Sequence, residues 1–203
     1  MRSRIVLMGV GGVMGLALVL LGWRLFETPY SFRGSLIDPA VRAYEFTLTD
    51  QDGGQFRLGE QRGKVVLVFF GYTNCPDVCP VTLTEFKRIR EDLGELAEQV
   101  RFVFITVDPE RDSVERLKSH LINYDPVIVG LTGERSQLEP VWKNYGVYQA
   151  KRDEGSAAGY LVDHTSRTYL IDPDGNWRLT YPFEMERDAI VEDIEHLLQE
   201  QER

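Results

Sequence analysis

The chain contains two cysteines, Cys75 and Cys79, within Gly71-Tyr72-Thr73-Asn74-Cys75-Pro76-Asp77-Val78-Cys79-Pro80. The apolar run Val65-Val66-Leu67-Val68-Phe69-Phe70 leads into this stretch, and Pro80 opens a helical pattern over residues 81–93. A strand ending in a turn that presents two thiols at a helix start suits thiol chemistry. Unpaired backbone N–H groups and the positive end of the helix dipole favour thiolate over thiol there. A thiolate so placed can attack a disulfide or bind a soft metal. A bridge across three intervening residues closes almost no loop, so a purely structural disulfide would add little stability. The pair reads as reactive.

The elements that must position this pair follow from pattern. Residues 44–49 alternate apolar and polar like a half-buried strand, Asp52-Gly53-Gly54 signals a hairpin turn, and residues 55–58 return. Residues 65–70 form a continuous apolar run typical of a central strand. Proline is tolerated in the first helical turn but not deeper. Regular helix is therefore expected from near Pro80, with Cys75 to Cys79 in an irregular loop or one tight turn. Residues 101–107 make a second buried strand. Asp112, with Glu115 three residues on, is expected to cap a helix running to about Tyr124. A strand over 127–131, a helix over 136–145 stopped by Gly146, a short strand over 147–150 and a charged loop over 151–159 follow. Strands over 168–171 and 177–181 flank Asp172-Pro173-Asp174-Gly175-Asn176, and a helix over 187–199 closes the chain. Parallel β-α-β units followed by a terminal hairpin and helix predict an α/β fold. The order matches a thioredoxin-like three-layer sandwich with an extra N-terminal β-hairpin and a longer middle insertion.

Three histidines are available to the site. His120 and His196 fall in helical segments and read as helix-surface or core-edge residues. His164 falls in a loop just ahead of a strand, where thioredoxin-like folds bring the chain near the start of the first helix. Thioredoxin-like oxidoreductases carry a cis-proline at that place. Here no proline lies between Val147 and Ile171, and a histidine stands instead. Two thiolates and one imidazole make a three-coordinate set. Zinc in structural sites takes four protein ligands, and this set offers three. Soft thiolates at low coordination number favour Cu(I), and the imidazole admits Cu(II) once a fourth ligand is found. Asp163 is a candidate to orient the ring. Asn74 and Asp77 either touch the metal or shape the loop.

Composition bounds the surroundings. The 203 residues include 23 basic and 32 acidic side chains, a net charge of −9. Arg2, Arg4 and Arg24 are the only charged residues of 1–26, so the acidic excess beyond residue 26 rises from nine to twelve. Such a surface argues against nucleic acid, which rewards basic faces. Residues 5–23 carry no charge and span about 28 Å as a helix, close to the hydrocarbon thickness of a bilayer. Arg2 and Arg4 favour a cytoplasmic N-terminus. The run is long for a cleavable signal, and Leu20-Leu21-Gly22-Trp23 makes a poor cleavage site. No cysteine follows for a lipoprotein anchor, and four leading residues are too few for a mitochondrial presequence. The expected organisation is a membrane anchor over 1–26, one transmembrane helix, a linker over 27–39 and a thioredoxin-like copper-binding domain over 40–203. The expected location is a bacterial inner membrane, crossed once, with the domain in the periplasm.

The quoted residues resemble one family. The Phe70–Pro80 stretch, Ile105-Thr106-Val107-Asp108-Pro109-Glu110-Arg111-Asp112, Gly130-Leu131-Thr132-Gly133 and Asp163-His164-Thr165 look like the successive motifs of the Sco/SenC proteins. The resemblance covers most of residues 30–200. It implies a membrane-anchored copper chaperone whose ligands match Cys75, Cys79 and His164. Its partner would be the copper-binding subunit of cytochrome c oxidase, where the copper A centre is assembled, with another periplasmic copper donor upstream. The resemblance also leaves open thiol-disulfide reduction of that subunit's cysteines by a redox-active Cys75–Cys79 pair. A peroxidase would need one activated cysteine with a nearby Thr and Arg, for which Thr73 and Arg167 are the candidates.

Overall fold

The computed structural model describes residues 30–153 and 159–201. The chain divides into two compact units, 1–31 and 32–203, and every element below belongs to the second. The expected anchor over 1–26 lies outside the described residues. Among the described residues no helix is long and apolar enough to cross a membrane.

An eight-stranded sheet is built around β4 (Val65–Gly71), every residue of which is buried. β-Branched and aromatic side chains dominate that run, as a strand covered on both faces requires. β5 (Val100–Thr106) lies parallel to β4 in unbroken register from Val65 opposite Val100 to Gly71 opposite Thr106. β6 (Val129–Thr132) runs parallel beyond β5. On the other side β9 (Thr168–Ile171) and β10 (Asn176–Tyr181) run antiparallel. The expected N-terminal hairpin is β2 (Thr47–Asp50) and β3 (Gln55–Arg57), attached to the sheet beside β6. Asp50 holds its turn by accepting from the Asp52 and Gly54 amides, and Gly53 supplies the positive φ of 82°.

The successive residues Phe69 and Phe70 point to opposite faces of the sheet. Phe69 meets Phe104, and Phe102 beside it packs on Phe86 of helix α1 (Val78–Leu93). Phe70 meets Tyr145, at the end of helix α3 (Arg135–Asn144), and Tyr169. Helices therefore cover both faces, as the three-layer expectation required. Helix α2 (Val114–Leu121) packs on β6, and helix α4 (Arg187–Gln201) packs on α1.

Among the boundaries that differ from the sequence reading, three bear on how the site is framed. Helix α1 starts at Val78, two residues ahead of Pro80. Proline fits there because the first four helical amides have no intrahelical acceptor in any case. The segment expected as linker through Pro39 is already strand at its end: β1 (Ser35–Arg42) pairs antiparallel with β10. The α2 cap is Ser113, whose Oγ accepts from the Arg116 amide, while Asp112 is buried. A serine one residue on satisfies the helix start and frees the carboxylate for the interior.

Candidate metal centre

Cys79 is the second residue of α1 and is wholly buried; Cys75 lies before the helix and is partly exposed. Their turn is fixed from below by Asp112. Its carboxylate accepts from the Thr73 amide at 3.1 Å, the Thr73 hydroxyl at 2.6 Å and the Thr106 hydroxyl at 2.7 Å. Gly71 ends β4 directly beneath the sulfur. A Cβ there would stand 2.7 Å from Cys79 Sγ and 2.7 Å from the Phe104 ring, so only glycine leaves room for the thiol.

His164 is the last residue of β8 (Leu161–His164), not a loop residue as expected. β8 pairs with β7 (Gln149–Arg152) in a two-stranded arm outside the main sheet, with Gln149 opposite His164. The arm lays the imidazole edge-on against Tyr72, at 5.7 Å between centroids, and against Phe69 at 6.0 Å. Its Nδ1 lies 3.1 Å from the Thr165 carbonyl oxygen, which makes Nδ1 the protonated nitrogen. Nε2 is left with a free lone pair and lies 3.6 Å from Cys79 Sγ. Asp163 does not orient the ring. It is exposed and pairs with Arg152 at 3.5 Å, because neighbouring strand residues face opposite ways.

The donor atoms of Cys75, Cys79 and His164 all lie within 4.8 Å of one another. Bonds of about 2.3 Å to sulfur and about 2.0 Å to nitrogen at trigonal angles put sulfur and nitrogen about 3.7 Å apart. The observed separation fits a single ion between them. The soft donor set and low ligand number fit copper better than zinc or a hard cation. Asn74 shapes the loop: its Oδ1 accepts from Arg116 Nη2 at 3.0 Å. Asp77 stands at the N-cap of α1 without a side-chain capping bond.

The two thiols are electrostatically unequal. A hydrogen bond from Cys79 brings the Cys75 thiol down to about 3, against the opposing effect of burial. Burial pushes Cys79 well above an ordinary thiol, and the Cys75 anion beside it adds to the rise. The metal-free pair therefore carries one negative charge, on the sulfur that solvent reaches. The peroxidase candidates do not assemble. Arg167 donates to Thr180 Oγ1 and Ser35 Oγ, and Thr73 is engaged by Asp112.

Sequence reasoning missed Tyr72, Asp108, Arg111 and Tyr160 as parts of this neighbourhood. Tyr72 OH accepts from the Val162 amide at 3.1 Å, and Tyr160 OH donates to Asp108 at 2.7 Å. All but Tyr160 lay within the quoted motifs, yet no spacing rule says which loop meets which.

The SCO1/SenC family model matches residues 36–199. The SCO2-like protein of Rickettsia felis is 35% identical over 173 residues, covering 84% of this chain and 82% of that protein. The structure of Bradyrhizobium japonicum ScoI with copper bound aligns at a TM-score of 0.71 and 35% identity, over 77% of this chain and 99% of that one. BsSco, a member of the Sco family of cytochrome c oxidase assembly proteins in which a disulfide switch was identified, aligns at 0.64 and 30% identity, over 79% and 95%. With the motifs, the thioredoxin-like frame and the match over nearly the whole described unit in agreement, this chain belongs to the SCO1/SenC family.

Proposed function

We propose that this chain is a membrane-anchored copper chaperone that binds copper through Cys75, Cys79 and His164 and helps assemble the copper A centre of cytochrome c oxidase. The observation that carries the reading is the 3.6 Å approach of His164 Nε2 to Cys79 Sγ across 85 residues of sequence. Three donors converge on one point at a partly exposed turn, where a partner's ligands can enter. Transfer then runs by ligand exchange: each incoming thiolate displaces one donor, and no electron changes hands if the ion stays Cu(I). The acidic surface beyond residue 26 suits a basic patch on the acceptor or on a periplasmic copper donor. The anchor over 1–26 would hold the exchange at the inner membrane, with the sheet-containing domain in the periplasm.

The test is His164→Ala in purified protein, titrated with Cu(I) against a competing chelator. Binding is expected to weaken by about a hundred-fold, since even supporting residues around metal ligands change affinity by ten- to a hundred-fold. Both thiols should still form a disulfide under mild oxidant. Full stoichiometry and unchanged affinity would remove His164 from the ligand set.

A second reading has its own observation, the exposed Cys75 thiolate beside a buried Cys79 thiol. Cys75 can attack an acceptor disulfide and release one acceptor thiolate. Cys79 then gives up its proton to that thiolate and attacks Cys75, closing the Cys75–Cys79 disulfide and freeing the second acceptor sulfur. The acceptor is reduced by two electrons and this chain is oxidised by two. A redox titration decides: a dithiol potential well above that of the acceptor disulfide excludes the reductase role.

A further inference from the structure

The β7–β8 arm is not part of the main sheet, so the place of His164 depends on whatever holds the arm down. Besides the Val162 amide on Tyr72 OH, a second hold lies four residues before His164. Tyr160 OH donates to Asp108 Oδ1 at 2.7 Å, and Arg111 Nη1 donates to the Tyr160 carbonyl at 2.9 Å. The Arg111 guanidinium lies 3.7 Å from the Tyr160 ring centroid and also pairs with Asp108. From the other strand of the arm, Lys151 Nζ stands 4.6 Å from the same ring and pairs with Glu110.

The base of this latch is rigid. Asp108 is buried, its amide donates to Thr106 Oγ1 at 2.9 Å, and the Val107 amide donates to the Gly71 carbonyl at 2.8 Å. Latch and cysteine turn thus share one piece of backbone at the ends of β4 and β5. Arg111 Nη2 is buried with no partner among the described residues. An orphaned donor costs free energy, so the position of this guanidinium is not set by its own hydrogen-bonding alone. Four residues of strand span about 13 Å, so Tyr160 acts on the donors only through the arm.

We propose that Tyr160, clasped by Asp108 and Arg111, is a positioning residue that holds the β7–β8 arm closed and thereby keeps His164 within reach of the cysteine sulfurs. The proposal rests on the copper reading of the Cys75, Cys79 and His164 site. A closed arm presents three donors; a released arm leaves two sulfurs. Affinity then scales with the fraction of molecules whose arm is closed. Opening the latch lowers affinity without touching a donor, and a partner that loosens it would draw copper away.

The experiment is a double-mutant cycle in the full chain with Tyr160→Phe and His164→Ala, read by Cu(I) competition. Amide hydrogen exchange of the metal-free protein supplies a second readout. Tyr160→Phe is expected to weaken binding about five-fold in the native background and not at all when His164 is already alanine. Exchange should quicken at the Val162 amide, which donates to Tyr72 OH, and stay unchanged in β4 and β5. Equal weakening in both backgrounds, or none in the native one, overturns the latch. If His164→Ala leaves affinity intact, the ligand reading fails. The latch is then judged by exchange alone: faster exchange in β8 supports it, and unchanged exchange sinks it. Arg111→Lys, which keeps the charge but loses the planar contact with the ring, replaces Tyr160→Phe if that variant does not fold.

Discussion

At the scale of single residues the site is defined by differences between like groups. Two cysteines in one turn have thiols of opposite character, because the Cys79 thiol hydrogen-bonds the Cys75 sulfur while burial keeps Cys79 itself protonated. Cys75 is expected to react with iodoacetamide at nearly constant rate from neutral pH down to about pH 4 in metal-free protein. The rate should fall only as the thiolate is protonated near 3, because a lowered pKa keeps the anion at every pH above it. Cys79 should stay unmodified throughout that window, since its raised pKa keeps it a thiol and the fold covers it. Mass spectrometry of peptides after timed alkylation checks both. Gly71 is the other residue-scale constraint. Gly71→Ala places a methyl on Cys79 Sγ and the Phe104 ring and should cost about 1–3 kcal/mol in denaturant unfolding. Because the sulfur must give way, copper affinity should fall with it.

At the scale of elements, the chemistry depends on how β4, α1 and the arm are tied together. Asp112 carries the tie between the cysteine turn and the β5–α2 connection. Asp112→Ala leaves the Thr73 amide and the hydroxyls of Thr73 and Thr106 without their acceptor. That should cost about 2–3 kcal/mol by urea unfolding, as for hydrogen bonds to a charged group. The α2 cap is a milder joint. Ser113→Ala should cost about 1 kcal/mol and leave copper binding unchanged, because the cap faces solvent and bonds only the Arg116 amide and Glu115. The contrast between these neighbouring positions is itself a check on which of them serves the site.

At the scale of the whole molecule, the sheet is closed at one edge by β1, from the segment read as linker. The buried Asp193 on α4 secures its entry by accepting from the Arg33 amide at 2.9 Å and the Gly34 amide at 2.9 Å. Tyr181 OH reaches the same carboxylate at 3.2 Å. Asp193→Ala strips these donors of their acceptor and should lower stability by about 2–3 kcal/mol in urea unfolding. Limited proteolysis should then cut ahead of β1 more readily.

Much was legible in the residues themselves. The central strand, the cysteine turn, the terminal hairpin and the pairing of the two sulfurs all follow from local pattern and from the chemistry of residue types. Those are properties a short window of sequence contains. The start of α1, the burial of Asp112, the strand within the linker and the clasp on Tyr160 depend on partners up to 160 positions away. Sequence alone named the three candidate donors, the cysteines by their spacing and His164 by its place in the expected fold and by the family resemblance. Only the tertiary structure decided that Thr165 rather than Asp163 orients the imidazole, and that a small arm outside the sheet carries it. The physical reason is that strand pleating and long-range hydrogen bonding choose a side chain's direction, and neither is encoded in spacing along the chain.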